Sequence, residues 1–357
     1  MRHALRLAAR GLGRVAPNPS VGCVIVSRDG DIVGRGFTQA GGRPHAETEA
    51  LRQAGENARG GTAYVTLEPC AHHGKTPPCA NALVASGVAR VVAAIVDPDP
   101  RVRGQGMKIL EAGGVAVTQG VCAGEARALN AGFFKRIDYG RPLVALKIAQ
   151  SADGYIADAY GNSRWITSEE ARRHGHLMRA RFDAIVVGIG TVLQDDPLLT
   201  CRIPGLEGAS PLRVVLDSRL RLPPQSQLAR TAREIPVHLF TASDQSASQL
   251  TDMGVEIIRV GAYDKGRPDI GAVMGELARR GQTRVLVEGG PSLHASLLMR
   301  GEVDQIHIYR APLLLGQGAK SATAGFGSGS LEAAPRMQLL SRQTFGPDLL
   351  ESFALRG

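Results

Sequence analysis

A chain of 357 residues is long for one domain, and two are expected. Its 43% hydrophobic and 21% charged residues are ordinary for a soluble globular protein, with no low-complexity segment and no internal repeat. Lys plus Arg outnumber Asp plus Glu, 42 to 33, which favours anionic ligands; the arginines are scattered, without basic runs or interleaved aromatics, so a phosphorylated metabolite is expected and nucleic acid is not. Five cysteines at irregular spacing argue against a disulfide framework and for a reducing compartment. The first segment, Met1 to Gly13, has Leu5, Ala8, Ala9 and Leu12 at helical spacing, but Arg2, Arg6 and Arg10 interrupt it as a signal peptide. No later segment approaches membrane-spanning length, so a cytoplasmic protein without a membrane partner is expected.

After the opening helix, Ala16-Pro17-Asn18-Pro19 predicts a rigid turn, because the prolines fix φ on both sides of Asn18. The Asn18 amide suits either a turn cap or a substrate contact. Val21 to Val26 reads as a strand, Arg28 to Asp31 as a hairpin turn, and Ile32 to Phe37 as the partner strand. His45 opens a helix running to about Gly55. A strand from Ala63 to Leu67 then delivers Glu68-Pro69-Cys70 to its end, and Cys79 lies just inside a helix from Pro78 to Ser86, whose dipole favours a thiolate. Val91 to Val96 is a further strand, closed by Asp97-Pro98-Asp99-Pro100. A helix over Met107 to Ala112, a strand over Val115 to Thr118 and a helix over Ala123 to Phe134 follow. The alternation predicts a largely parallel sheet with helices on both faces, and ligand residues where helices start beside strand ends.

His45-Ala46-Glu47 and the run from Pro69-Cys70 to Pro78-Cys79 carry the chemistry of this half. One imidazole and two thiolates suit Zn2+, and three protein ligands leave a fourth position for water, whose pKa falls to about 7 on the metal. Glu47 is then placed to take the proton of that water. The pattern matches that of zinc deaminases except that the second cysteine lies nine positions after the first. A structural zinc clip with His72, His73 or Cys23 as fourth ligand is the competing account, and it leaves Glu47 without a role.

Tyr139-Gly140-Arg141-Pro142 is the expected boundary, giving domains over 1–140 and 141–357. The second half restarts with a strand from Leu143 to Ile148. Ser168 begins a capped helix ending near Arg181, and strands are expected before Gly188, from Ala184, and at Val214 to Ser218, Pro236 to Phe240, Glu256 to Val260 and Arg284 to Val287. Gly188-Ile189-Gly190-Thr191 and Gly289-Gly290 each follow a strand and precede a helix, where backbone amides can approach a phosphate. Leu193 occupies the third glycine position of the dinucleotide fingerprint, so a packing turn is an equal alternative. Lys147 and Glu288 suit proton handling or an inert ion pair.

In this order, the motifs resemble the bifunctional riboflavin-biosynthesis family, a pyrimidine deaminase fused to a pyrimidine reductase. The resemblance rests on Pro17-Asn18-Pro19, His45-Ala46-Glu47, Glu68-Pro69-Cys70 through Cys79, Asp153-Gly154, Trp165-Ile166-Thr167-Ser168, Gly190-Thr191 with Asp195-Asp196-Pro197, Asp217-Ser218 and Val287-Glu288-Gly289-Gly290. It implies an α/β fold: an N-terminal cytidine-deaminase-like three-layer α/β/α domain and a C-terminal dihydrofolate-reductase-like α/β domain. The implied activities are zinc-dependent deamination of 2,5-diamino-6-(5-phosphoribosylamino)pyrimidin-4-one and then NADPH-dependent reduction of its ribosyl group to ribityl. Carried over by position, zinc falls on His45, Cys70 and Cys79, proton transfer on Glu47, the substrate phosphate on Lys75 and the pyrimidine on Asn18. NADPH contacts fall on Ala149, Trp165, Thr191, Asp195, Ser218 and on Gly290, Pro291, Ser292, Leu293, His294, Ala295 and Ser296. Reductase substrate contacts fall on Ser163, Arg179, Leu199, Arg202 and Glu288, with Lys147 and Glu288 as catalytic candidates and a homo-oligomer as the expected assembly. Ala152, Val15 and Ala71 depart from the usual Leu, Thr and Ser of the family's motifs. The alternative is a zinc deaminase acting on a nucleic-acid base with a C-terminal binding module, which the 4% aromatic content disfavours.

Overall fold

The computed structural model describes residues 1–71, 77–100, 102–323 and 325–355, except for the side chain of Lys265. It divides into two compact units, Met1–Arg141 and Pro142–Gly357. Among the described residues no helix is long and apolar enough to cross a membrane.

The first unit is built on strands β1 (Gly22–Val26), β2 (Ile32–Phe37), β3 (Thr62–Val65), β4 (Arg90–Ala93) and β5 (Ala116–Gln119), in the order β2-β1-β3-β4-β5. β3, β4 and β5 run parallel, but β1 is antiparallel to both β2 and β3, so the sheet is mixed and not largely parallel as expected. The cause is the tight turn at Ser27–Asp31: a connection that short can only return the chain antiparallel. Helices α1 (Arg2–Ala8), α2 (Ala46–Ala54), α3 (Cys79–Ala85), α4 (Gln105–Ala112), α5 (Ala123–Leu129) and α6 (Ala131–Tyr139) surround it. α2 lies on β2 at backbone distance. A Cβ on Gly36 would sit 2.0 Å from the Ala46 carbonyl oxygen, so the alanine stripe Ala46, Ala50, Ala54 and the glycines beneath it fix where His45 and Glu47 emerge. The single helix expected over Ala123 to Phe134 is two, because Asn130 leaves helical geometry. Its buried amide brackets Ser20, accepting from the Ser20 N–H at 2.8 Å and donating to the Ser20 carbonyl at 3.0 Å.

The second unit contains β6 (Leu143–Ser151), β7 (Tyr155–Ala157), β8 (Ala184–Gly188), β9 (Leu212–Leu216), β10 (Val237–Thr241), β11 (Val255–Arg259), β12 (Ala262–Tyr263), β13 (Arg267–Pro268), β14 (Arg284–Val287), β15 (Gln305–Ala311), β16 (Lys320–Ser321), β17 (Met337–Phe345) and β18 (Asp348–Leu355). Nine of them form one sheet in the order β11-β10-β9-β8-β14-β6-β15-β18-β17. It is parallel from β11 to β15, and β18 and β17 close it antiparallel. Helices α7 (Glu169–Arg179), α8 (Ile189–Asp195), α9 (Gln227–Arg230), α10 (Ser248–Asp252), α11 (Ile270–Arg279) and α12 (Pro291–Met299) complete it, with Ser168 Oγ accepting from the Ala171 N–H to cap α7. Alternate residues of each central strand enter opposite cores: Val186 and Val214 with Val144 and Val285 on one side, Ile185, Val187 and Val215 with Leu239 on the other. In the middle of the sheet β8, β14 and β6 are neighbours. The two glycine turns and Lys147 therefore meet at one end of the unit.

Candidate functional site

In the first unit two helix starts and one strand exit converge. His45 is the N-cap of α2, Cys79 is the first residue of α3, and Cys70 lies beyond β3. His45 Nδ1 is 3.2 Å from Cys79 Sγ and 3.6 Å from Cys70 Sγ, and the Cys79 N–H donates to Cys70 Sγ at 3.2 Å. All three donor atoms lie within 4.8 Å of one another, close to the roughly 3.5–3.8 Å edges of a tetrahedron at ordinary Zn–N and Zn–S distances. Donor set and spacing fit zinc. Cys23 does not join the cluster among the described residues, and burial pushes its thiol up; His72, His73 and Lys75 lie outside the described residues.

The charges around the cluster are unequal. The hydrogen bond from the Cys79 thiol, with help from His45, holds Cys70 down at about 4, whereas the same bond and burial push Cys79 up. A divalent cation among the donors stabilises both thiolates. Glu47 is 3% exposed; burial, reinforced by the Cys70 charge, raises it to about 7. A carboxyl poised there can take and return a proton near neutrality.

His45, Glu47 and Cys70 face a cavity of about 270 Å³ that Asn18, Arg43, Asp97, Phe133 and Arg136 also line. Asn18 packs on Gly42, where φ is +84 and a Cβ would fall 1.8 Å from Asn18 Nδ2, so only glycine leaves room for the amide. Asp97 is a lining residue that the sequence motifs did not single out. Burial raises it to about 6, and its place after β4, beside the strand that leads to Cys70, is the signal that could have found it. Glu68, in the motif but without a role, is structural: its buried carboxylate accepts from the N–H groups of Asp97, Gly104 and Gly106 and so holds that wall of the cavity.

In the second unit a cavity of about 560 Å³ lies over the carboxyl ends of the central strands. Ala149, Thr191, Asp195, Ser218, Gly290, Pro291, Ser292, Leu293, His294 and Ser296 line it, with Arg221, Arg267 and Lys320 adding positive charge. The two glycine turns touch: a Cβ on Gly289 would meet Thr191 Oγ1 at 2.7 Å. Size, charge and the start of α12 fit a phosphate-bearing dinucleotide. Ala295 is buried in the core and does not reach this cavity. Trp165 lines instead a smaller pocket of about 180 Å³, with the Arg172 guanidinium 4.4 Å over its ring. His176, Arg179, Arg202 and Tyr309 line that pocket too, and the two spaces share Lys147, Ala149 and Glu288. Ser163 faces the larger cavity. Leu199 faces neither; it is 3% exposed with φ +55, so its contribution is the turn it imposes on the backbone before Thr200.

Glu288 is locked. Arg179 grips it through two parallel bonds, Nε to Oε1 and Nη2 to Oε2, each 2.8 Å, and Lys147 Nζ stands 3.8 Å from Oε2. Burial alone would raise this carboxyl, but Arg179 and Lys147 more than offset it and hold it at about 2. Glu288 therefore stays ionised at neutral pH and has no proton to give, and the Arg179 fork is already spent on it.

The family described as RibD C-terminal domain matches residues 142–350, and the cytidine and deoxycytidylate deaminase zinc-binding region matches residues 1–95. Riboflavin biosynthesis protein RibD of Escherichia coli K12 is 43% identical over 360 residues, covering 98% of this chain and 96% of that one. The structure of Acinetobacter baumannii RibD superposes with a TM-score of 0.89 at 39% identity, covering 100% and 98% of the two chains. That of a Thermotoga maritima diaminohydroxyphosphoribosylaminopyrimidine deaminase/5-amino-6-(5-phosphoribosylamino)uracil reductase gives 0.88 at 35%, covering 100% and 97%. The expected architecture holds, a cytidine-deaminase-like fold followed by a dihydrofolate-reductase-like one. With similarity running through both units at this level, the chain belongs to the RibD family of riboflavin biosynthesis proteins.

Proposed function

We propose that residues 1–140 deaminate 2,5-diamino-6-(5-phosphoribosylamino)pyrimidin-4-one and that residues 141–357 reduce the ribosyl group of the product to ribityl. The observation that carries this is the pairing of a three-donor metal cluster and a proton-poised Glu47 in one unit with a dinucleotide-sized cavity that adjoins a cationic pocket in the other. When bound, zinc on His45, Cys70 and Cys79 supplies Lewis-acid activation of water, and NADPH supplies a hydride. Glu47 takes one proton from the attacking water and gives it to the ring nitrogen, then takes the second from the hydroxyl of the resulting tetrahedral carbon and gives it to the leaving amine, which departs as ammonia. Asn18 and Asp97 offer an amide and a carboxyl to the pyrimidine.

In the second unit, Lys147 is the group that gives a proton to the ribosyl ring oxygen as the ring opens, while Glu288 keeps the Lys147 ammonium in place. NADPH lies in the larger cavity along Ala149, Thr191, Ser218 and the start of α12, and the phosphorylated pyrimidine in the smaller pocket. The protein works as a homo-oligomer: β17 is an edge strand that exposes Met337, Leu339 and Leu340, apolar surface that a second copy would cover. The test is a paired assay on full-length, zinc-loaded protein given the diaminopyrimidine. Ammonia release followed by NADPH oxidation is the expected order; ammonia release alone would remove the reductase assignment.

A further inference from the structure

Three arginines line the small pocket of the second unit: Arg172 lies over the Trp165 ring and donates to the Thr167 carbonyl, while Arg179 and Arg202 look equivalent in the sequence and are not equivalent in space. Arg179 is committed to Glu288 through Nε and Nη2, and its Nη1 donates to the Thr200 carbonyl at 3.0 Å. Arg202 has no carboxylate partner among the described residues. Its Nε and Nη2 instead point at a single atom, His176 Nε2, at 3.3 and 3.1 Å. The other nitrogen of that ring, Nδ1, lies 3.0 Å from the Thr200 carbonyl oxygen. A carbonyl only accepts, and Arg179 Nη1, the other neighbour of Nδ1, is farther away at 3.5 Å and already donates to the same carbonyl, so Nδ1 carries the hydrogen and Nε2 presents its lone pair to the guanidinium. Burial and the neighbouring charges of Arg179 and Arg202 hold His176 below the ordinary imidazole range, which keeps the ring in this neutral form.

We propose that His176 is the positioning residue of the reductase's phosphate site: it fixes one edge of the Arg202 guanidinium and so directs Nη1 and the remaining Nη2 hydrogen to the 5′-phosphate of the pyrimidine substrate. The ring is itself set by the Thr200 carbonyl, which Leu199 turns into place with its positive φ and which Arg179 also holds. Two parallel N–H donors on a rigid fork match a phosphate edge, and orienting that fork beforehand removes an ordering cost from binding. Arg202 lines the small pocket and not the dinucleotide cavity, so the phosphate it meets is the substrate's and not that of NADPH.

The inference rests on the reductase assignment, and one set of rate measurements separates the two. Full-length, zinc-loaded wild type, His176→Ala, His176→Gln, Arg202→Ala and the double variant are given 5-amino-6-(5-phosphoribosylamino)uracil or its dephosphorylated counterpart, and NADPH oxidation is followed. His176→Ala should raise the KM for the phosphorylated substrate about tenfold and leave kcat and the KM for NADPH within about twofold. His176→Gln, whose amide oxygen can reach the Nε2 position, should recover most of that loss. The double variant should be no worse than Arg202→Ala alone, because His176 acts only through that arginine. None of the variants should change the KM for the dephosphorylated substrate.

A fall in kcat at unchanged KM, additive losses in the double variant, or a shift in the KM for NADPH would overturn the proposal, the last by assigning Arg202 to the cofactor's phosphate. If thermal unfolding shows that His176→Ala does not fold, Arg202→Ala decides: it must lose the preference for the phosphorylated substrate, and retention of that preference would sink the idea. A wild type that oxidises no NADPH with either substrate would overturn the reductase assignment, and this inference with it.

Discussion

Glu47 and Glu288 are the same residue type, each with a buried side chain, one in each unit, and their carboxyls are driven in opposite directions. Around Glu47 the strongest neighbouring charge is the Cys70 thiolate, and burial with that charge lifts the carboxyl to about 7. Around Glu288 stand the Arg179 guanidinium and the Lys147 ammonium, and they hold it at about 2 in spite of burial. Burial alone therefore says little about what a carboxylate does; the nearest charge decides. The first is free to move a proton at neutral pH and the second is fixed as an anion that places its neighbours.

The largest expected effect breaks the first half of that contrast. Glu47→Gln keeps the shape of the site but cannot carry a proton, so ammonia release should fall by a factor on the order of 10²–10⁴ while zinc content stays at the wild-type level. Ammonia release at the wild-type rate would refute Glu47 as the shuttle. On the other side, Lys147→Ala should reduce NADPH oxidation by at least about 10²-fold and leave ammonia release unchanged, measured on the same sample.

Glu288→Gln sharpens the comparison through acid stability. The folded value, about 2, lies below the ordinary carboxylate value of 4.5. The ion pairs therefore add stability that is fully present above 4.5 and is lost as pH falls toward about 2. Across that window the unfolding transition that responds to NADPH should move down in temperature for wild type and move less for Glu288→Gln. Equal slopes for the two proteins would contradict the lock. The smallest effect is expected at Asn18: Asn18→Ala should raise the deaminase KM severalfold, at a cost of about 1 kcal/mol for one hydrogen bond, with kcat little changed.

Much of this was legible in the chain because the constraints are local. His45-Ala46-Glu47 and Cys79 lie at helix starts and Cys70 follows a strand, so the residue types and their local motifs were enough to name the metal donors. The central strands of the second unit are continuous apolar runs, covered by helices on both faces, and were equally plain. β15, β17 and β18 were not foreseen. β17 exposes most of its side chains at the sheet edge, and its polar residues Gln338, Ser341, Arg342 and Gln343 conceal a strand pattern. The break at Asn130 was hidden for another reason, since its cause is Ser20, 110 positions away. The partition of Arg179 and Arg202 was hidden too. Only the fold shows that one fork is closed on Glu288 and that the other rests on His176.

The account stands or falls on the two chemistries belonging to separate units. The most direct test removes zinc from the full-length protein with a chelator and assays both steps, giving the diaminopyrimidine for ammonia release and the already deaminated pyrimidine for NADPH oxidation. Ammonia release should disappear and return when zinc is restored, while NADPH oxidation continues at its original rate throughout. Loss of both activities on chelation, or persistence of ammonia release without zinc, would contradict it.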